Sequence, residues 1–418
     1  MTAGMDRPRR VVRPQVLSVL AAAVSWTALL AAGAQPAAAD VRSKQWYLAA
    51  MQAEEMWKVS TGEGVKVAVI DTGVNPHTTS LKGQVLKGFD TTGVSGDEND
   101  DYNGHGTNMA ELIAGTGAGG GIKGLAPGAK IIPVRVGDAD FSERHGIEPG
   151  HSDAAIKAAA DSDARIISMS MSSKFPAKQQ RAMAEYAHDK GKIFFASVGN
   201  TARELNTLQY PAAYPEVVGV ASADRNGEVA EYSQNGGGVD IAAPGQEMTL
   251  WCDNTFESYC LREEGGTSSA TAIASASAAL IWSIHPDWTA NQVLNVLFDT
   301  AARDWKNGDR SAFLGHGLIR PSMNVLKGKG DPGDPDISPL TKKRTGAAPA
   351  VPSAPVPSTS AHQQPAREEN EEGDGTLVAG ESRKSGSGPQ VGLALGVAAA
   401  AAVLGGIAYT VVRRRRAA

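Results

Sequence analysis

Gly64-Val65-Lys66-Val67-Ala68-Val69-Ile70-Asp71-Thr72-Gly73 is the stretch from which the fold can be read. Its middle is a nearly continuous β-branched run. A strand exposed on one face alternates apolar with polar residues; a strand buried on both faces of a parallel sheet does not. The run stops at Asp71-Thr72-Gly73, and a doubly wound sheet presents its chemistry at the carboxyl ends of its strands. The same apolar pattern predicts strands over Lys130 to Val136, Arg165 to Met171, Lys192 to Val198 and Val217 to Ala221. Helical spacing falls between them, over Asn108 to Ala114, Ala154 to Ala160 and Pro176 to Asp189. Alternation of this kind predicts an α/β domain with a mostly parallel sheet. Ala49 to Val59 reads as a short amphipathic helix, and Ser268 to Ile284 as a long apolar one. Thr289 and Gln292 form a capping box that opens a helix over Ala290 to Thr300.

The chain has 418 residues and a formal net charge of −5. That balance gives no basic face for nucleic acid, so no nucleic-acid partner is expected. Arg7, Arg9, Arg10 and Arg13 precede an apolar, Ala-rich run from Val16 to Ala34, and Ala37-Ala38-Ala39 stands before Asp40. Basic region, apolar region and A-x-A site make residues 1–39 a signal peptide. The surroundings of Arg9-Arg10 match a twin-arginine signal poorly, which favours the general export route. In an exported chain the two cysteines, Cys252 and Cys260, are expected to pair as a disulfide. They make at best half a zinc site, and no metal or cofactor is expected.

The far end of the chain is built differently. Residues 327–389 are rich in Pro, Gly, Ser, Glu and Lys and lack the bulky apolar residues a core needs, so they read as a disordered linker. Val391 to Val412 is uninterrupted by charge. As a helix it measures roughly 33 Å, against a hydrocarbon core of about 30 Å. Arg413-Arg414-Arg415-Arg416 follows, so the reading is a transmembrane helix over 390–412 with a cytoplasmic tail over 413–418. Everything before the helix then lies outside the cell, tethered to the membrane in a single pass.

Three fragments carry chemistry. Asp71 ends the first strand, His105 lies in Gly104-His105-Gly106-Thr107, and Ser268 lies in Gly265-Gly266-Thr267-Ser268-Ser269-Ala270 at the head of the apolar helix. A serine hydroxyl needs a base to become a nucleophile, and the base needs an orienting carboxylate. Helix-start N–H groups suit a developing oxyanion. Asp-Thr-Gly also marks aspartic proteases, but those need a second aspartate, and no second such triplet is present. His77, His145, His151, His188, His285, His316 and His362 have no comparable setting.

The order Asp, His, Ser is that of subtilisin-type proteases. Over roughly residues 45–326 the sequence resembles the subtilisin-like serine proteases, the subtilases of peptidase family S8. Within them it looks most like the mycosins, the membrane-anchored subtilases of type VII secretion. That narrower likeness rests on Trp46-Tyr47-Leu48-Ala49-Ala50-Met51, on Trp57-Lys58-Val59-Ser60-Thr61-Gly62-Glu63-Gly64-Val65, on the tail helix, and on the lack of room for a folded propeptide after Asp40. The resemblance implies a subtilisin-like doubly wound sheet with helices on both faces over 63–326, with 40–62 packed on it as an extension. It implies a serine endopeptidase working through an acyl-enzyme, with Asp71, His105 and Ser268 as the triad and Asn200 as the oxyanion donor. It further implies that Ser170, Met171, Ser172 and Gly199 bind substrate, that substrates are proteins or peptides, and that a type VII secretion machinery is a possible partner. The same likeness leaves room for an inactive scaffold of that fold.

The sequence departs from the family pattern at Asn108, Ser172, Ser269 and Ala272, where His, Gly, a bulky Met or Phe, and Pro are usual. Asp97, Glu98, Asp100 and Asp101 lie just before His105. If that loop faces the cleft, their potential should favour Lys or Arg near the cut.

Overall fold

The computed structural model describes residues 37–146, 152–306 and 308–345. Residues 1–36 of the expected signal peptide, the linker from 346 on, the apolar run to 412 and the basic tail lie outside them.

Strand β1 (Lys66–Asp71) is buried along almost its whole length because both of its faces are covered. Val67 and Val69 point into one core, Ala68 and Ile70 into the other. Side chains alternate sides along a strand, so two covered faces require an unbroken apolar run. The same holds for β3 (Lys130–Arg135), β4 (Ile166–Met169), β5 (Ile193–Ser197), β6 (Val218–Ala223) and β7 (Ile241–Pro244). With the two-residue β2 (Phe89–Asp90) they form a seven-stranded sheet in the order β2-β3-β1-β4-β5-β6-β7. Every pairing in it is parallel. The strand order reverses at β1, so the switch point of the sheet falls at the carboxyl end carrying Asp71.

The helices are α1 (Ala37–Lys44), α2 (Trp46–Ala50), α3 (Ala53–Met56), α4 (His105–Ala114), α5 (Ala139–His145), α6 (Ser152–Asp161), α7 (Lys178–Asp189), α8 (Gly266–Ile284), α9 (Ala290–Thr300) and α10 (Ser322–Val325). Residues of α4, α8 and α9 share one core with β1, and residues of α6 and α7 share the other. Among the described residues, α8 is the one helix long and apolar enough to cross a membrane, but it is buried inside the domain. Its Thr271, Ser275 and Ser277 hydroxyls donate back to the carbonyls of Thr267, Thr271 and Ile273, so none is a stranded polar group. The capping box at Thr289 and Gln292 is formed.

Three features differ from the sequence reading. The expected helix over Ala49 to Val59 is broken: Gln52 adopts φ 60 and separates α2 from α3. A hairpin, β8 (Met248–Trp251) and β9 (Tyr259–Arg262), stands before α8 and is closed by the Cys252–Cys260 disulfide. The packed chain also runs past Leu326, where the linker was expected to begin, as far as Thr345. The Pro332 carbonyl accepts from Asn295 Nδ2, the Pro335 carbonyl from Asn291 Nδ2, and Ser338 is buried. Proline cannot donate a hydrogen bond but still offers its carbonyl, so a Pro-rich segment can dock through acceptors alone.

The segment before β1 packs on the domain through aromatic anchors. Tyr47 and Met56 are fully buried, and the Trp57 indole donates to the Leu125 carbonyl at 2.8 Å.

Candidate active site

Asp71 is the last residue of β1 and only 1% exposed. Its Oδ1 accepts from the Thr72 N–H at 2.8 Å and from His105 Nδ1 at 2.7 Å. His105 is the first residue of α4, entered from Gly104 at φ 86. The helix reaches the Asp71 loop because Gly106 lacks a side chain: a Cβ there would lie 2.1 Å from the Gly73 carbonyl oxygen. A carboxylate oxygen only accepts, so Nδ1 carries the proton and Nε2 is left with a lone pair. Burial pushes the imidazole pKa down. The Asp71 carboxylate, by charge and by hydrogen bond, and then Asp101 and Asp138 outweigh it and hold the pKa above its ordinary value.

Ser268 lies in the first turn of α8 and is buried. Its Oγ donates to the Ser170 carbonyl at 3.1 Å rather than to His105. A helix start leaves its first N–H groups without intrahelical acceptors, and the Ser268 N–H is one of these. Asn200 follows β5. Its Oδ1 accepts from both the N–H and the Oγ1 of Thr267, each at 2.9 Å. Both are donors, which fixes the amide orientation and turns Nδ2 to the other side, with no protein acceptor among the described residues. Gly266, at φ +95, keeps that side open: a Cβ there would lie 3.1 Å from Asn200 Nδ2. Two outward donors, Asn200 Nδ2 and the Ser268 N–H, are the kind of arrangement that stabilises an oxyanion.

The residues expected to hold substrate divide into two pairs. Ser170 is engaged with Ser268: its carbonyl accepts the Ser268 hydroxyl, and its own hydroxyl donates to the Ser268 carbonyl at 3.1 Å. Gly199 is engaged too, its N–H donating to Thr267 Oγ1 and its carbonyl accepting from Gln234 N. Met171 and Ser172 keep backbone groups without protein partners among the described residues, and Ser172 is exposed. An extended peptide can pair there. Beside them is a cavity of about 310 Å³ lined by Val136, Gly137, Met169, Met171, Ser172 and Tyr210.

The departures from the family pattern have local explanations. Asn108 Oδ1 accepts from the Trp251 N–H at 2.7 Å and ties the disulfide hairpin to α4. Ser269 Oγ donates to the Gly265 carbonyl at 3.0 Å, and Ala272 is fully buried in a helix that starts without a proline. The carboxylates of the acidic loop each take a local backbone donor. Glu98 accepts from Gly88 N, Asp97 from Asn99 N, and Asp100 from Asp97 N, all within or behind the loop. Asp101 is turned onto the His105 helix. Among the described residues no group of three His, Cys, Asp or Glu side chains is arranged to hold a metal ion.

The sequence gives no role to Thr72, Thr267 or Tyr232, and it marks Asp101 for substrate charge rather than for its bonds to the His105 helix. The Tyr232 hydroxyl accepts from the Gly266 N–H at 3.1 Å and so caps α8 from a distant loop. No local pattern announces such a contact. Asp101 had a local signal, since it accepts from Gly104 N and Thr107 N, a carboxylate at a helix N-terminus.

The model of the Subtilase family, Peptidase_S8, matches residues 62–317, more than half of the chain. Thermitase of Thermoactinomyces vulgaris is 35% identical over 57% of this chain and 82% of its own length. Subtilisin BL of Lederbergia lenta is 31% identical over 58% and 84%. Among solved structures, the serine protease MycP1, described as an essential component of the type VII (ESX-1) secretion system, aligns with TM-score 0.57 and 29% identity over 67% of this chain and 88% of that one. MycP1 from Mycobacterium smegmatis aligns with TM-score 0.59 and 25% identity over 74% and 89%. A parallel sheet with its switch point at Asp71, a buried small-residue helix headed by Ser268 and a family match spanning both leave one conclusion: the chain belongs to the subtilase family and is a subtilisin-like serine endopeptidase.

Proposed function

We propose that this chain hydrolyses protein substrates through a triad of Asp71, His105 and Ser268, as an exported enzyme tethered to the cell membrane by its C-terminal apolar run. The observation that carries the reading is the 2.7 Å bond between Asp71 Oδ1 and His105 Nδ1, which leaves Nε2 as the ring nitrogen that can take a serine proton. Ser268 Oγ rotates from the Ser170 carbonyl to Nε2, gives up its proton and attacks the substrate carbonyl. Asn200 Nδ2 and the Ser268 N–H receive the oxyanion. His105 then protonates the leaving amine, and water releases the acyl group by the same route in reverse. No cofactor takes part. The free backbone of Met171 and Ser172 pairs with the extended substrate, and the adjoining cavity takes one of its side chains.

The type VII secretion role described for MycP1 supports a substrate or partner among secreted or secretion-system proteins. A second reading, a catalytically weak scaffold for such a complex, draws on the Ser268 hydroxyl being bonded to Ser170 rather than to His105. Labelling with a fluorophosphonate decides between them. The protease reading expects Ser268 to be labelled in the wild type and not after Ser268→Ala; a wild type that takes no label supports the scaffold.

A further inference from the structure

Asp71 and His105 are 34 residues apart in sequence, and the bond between them is a single contact. One other side chain bonds to the flanks of both. Asp101 Oδ1 accepts from the Thr72 hydroxyl at 2.7 Å, from Gly104 N at 2.8 Å and from Asn103 N at 3.2 Å. Its Oδ2 accepts from the N–H of Thr107 at 2.8 Å and from the Thr107 hydroxyl at 2.6 Å. The network closes on itself. Thr72 Oγ1 accepts from Gly106 N at 3.0 Å, and Thr107 Oγ1 accepts from Asn75 N at 2.9 Å. Thr72 adjoins Asp71, and Gly104, Gly106 and Thr107 surround His105. One carboxylate therefore ties the chain leaving β1 to the first turn of α4.

We propose that Asp101 is a positioning residue of the active site, fixing the registry of His105 against Asp71. The proposal rests on the triad reading above. An aspartate suits the task because all five of its partners are donors, and an ionised carboxylate accepts at both oxygens. An asparagine cannot replace it: whichever way the amide is turned, its NH₂ meets N–H or O–H donors. Displacing a catalytic group by about 1 Å costs on the order of 100-fold in rate. The Asp101 charge also acts on the imidazole. The charged groups that raise the His105 pKa are Asp71 on β1, Asp101 in the loop and Asp138 at the head of α5. Neutralising Asp101 removes one of the three.

The test measures kcat and KM per active site, titrated with a fluorophosphonate so that unfolded protein does not count, as a function of pH. Asp101→Asn is expected to lower kcat about 10- to 100-fold with little change in KM, and to move the acidic limb of kcat/KM to lower pH. Thr72→Val cuts the same link from the other end without touching the charge. It is expected to lower kcat and leave the limb where it is, and Thr72→Ser to recover most of the loss. The double variant should lose less than the two single losses combined, because both changes break the shared Thr72–Asp101 bond. Wild-type kcat and an unmoved limb in Asp101→Asn overturn the proposal, as do losses that simply add in the double variant. If Asp101→Asn does not fold, Thr72→Val with wild-type kcat overturns it by itself. These outcomes differ from failure of the triad reading, in which the wild type takes no label at all.

Discussion

Ser268 and Ser170 hold each other reciprocally: the hydroxyl of each donates to the carbonyl of the other, both at 3.1 Å. This pairing couples the head of α8 to the chain leaving β4, the segment that offers Met171 and Ser172 to a substrate. The proposed nucleophile and the proposed substrate edge are thus held in register by the same two residues. Ser268→Ala is expected to abolish hydrolysis and labelling. It also removes one buried hydrogen bond, so a loss of about 1 kcal/mol is expected. Urea unfolding measures the second effect and peptide turnover the first. Full turnover by the purified variant would remove Ser268 from the mechanism.

The amide of Asn200 has a structural side and the side proposed to receive the oxyanion. Oδ1 braces Thr267 and Nδ2 faces the site. Asn200→Ala removes both, whereas Asn200→Asp keeps the acceptor and removes the donor. Both are expected to lower kcat, the alanine variant by about 10²–10³-fold. Only the alanine variant should also lose stability, by about 1 kcal/mol. Equal thermal midpoints for the wild type and both variants, with kcat within twofold, would show that neither duty exists.

The pH profile follows from the His105 environment. Burial lowers its pKa, but Asp71, Asp101 and Asp138 raise it more, so the net shift is upward from the ordinary value near 6.5. The base must be neutral to accept the serine proton. Activity is therefore expected above the folded pKa and should fall as pH drops through it, with the acidic limb of kcat/KM lying above 6.5. For stability the sign is opposite. A histidine whose folded pKa is raised contributes stability that is fully present below the unfolded pKa and lost as pH rises through the folded one. A limb at or below 6.5 contradicts the assignment of these three carboxylates.

What the sequence discloses and what it conceals have physical causes. β1 is legible because a strand covered on both faces must be apolar throughout. Asp71, His105 and Ser268 stand out through their glycines, and the structure requires two of these: Gly106 for a close approach to Gly73, Gly266 for a left-handed turn beside Asn200. Asp101 is hidden because four neighbouring carboxylates look alike until the fold turns one onto α4 and spends the others elsewhere. β2 has two residues and the hairpin strands four each, too short for periodicity to show. Residues 327–345 have the composition of a tether, yet they pack, because prolines that donate nothing still accept from Asn291 and Asn295.

That last correction sets where the chain can be cut. The Pro335 carbonyl accepts from Thr289 Oγ1 and Asn291 Nδ2, both at 2.9 Å, and Asn291 Nδ2 also donates to Thr345 Oγ1 at 2.6 Å. Asn291 is buried, and Leu340 packs against the core. A chain ending at Leu326 strands the Asn291 and Asn295 amides and exposes the apolar surface that Leu340 covers. Losing several hydrogen bonds of about 0.5–1.5 kcal/mol each, with part of one leucine's burial, amounts to roughly 3–4 kcal/mol. A chain ending at Thr345 keeps all of these contacts and loses only the linker and the proposed membrane anchor. It is expected to leave the cell as a soluble enzyme with the kcat of the full-length protein. Urea midpoints of the two truncations, compared with each other, read the difference directly. Equal midpoints and equal activity would return the boundary to Leu326 and make 327–345 part of the tether.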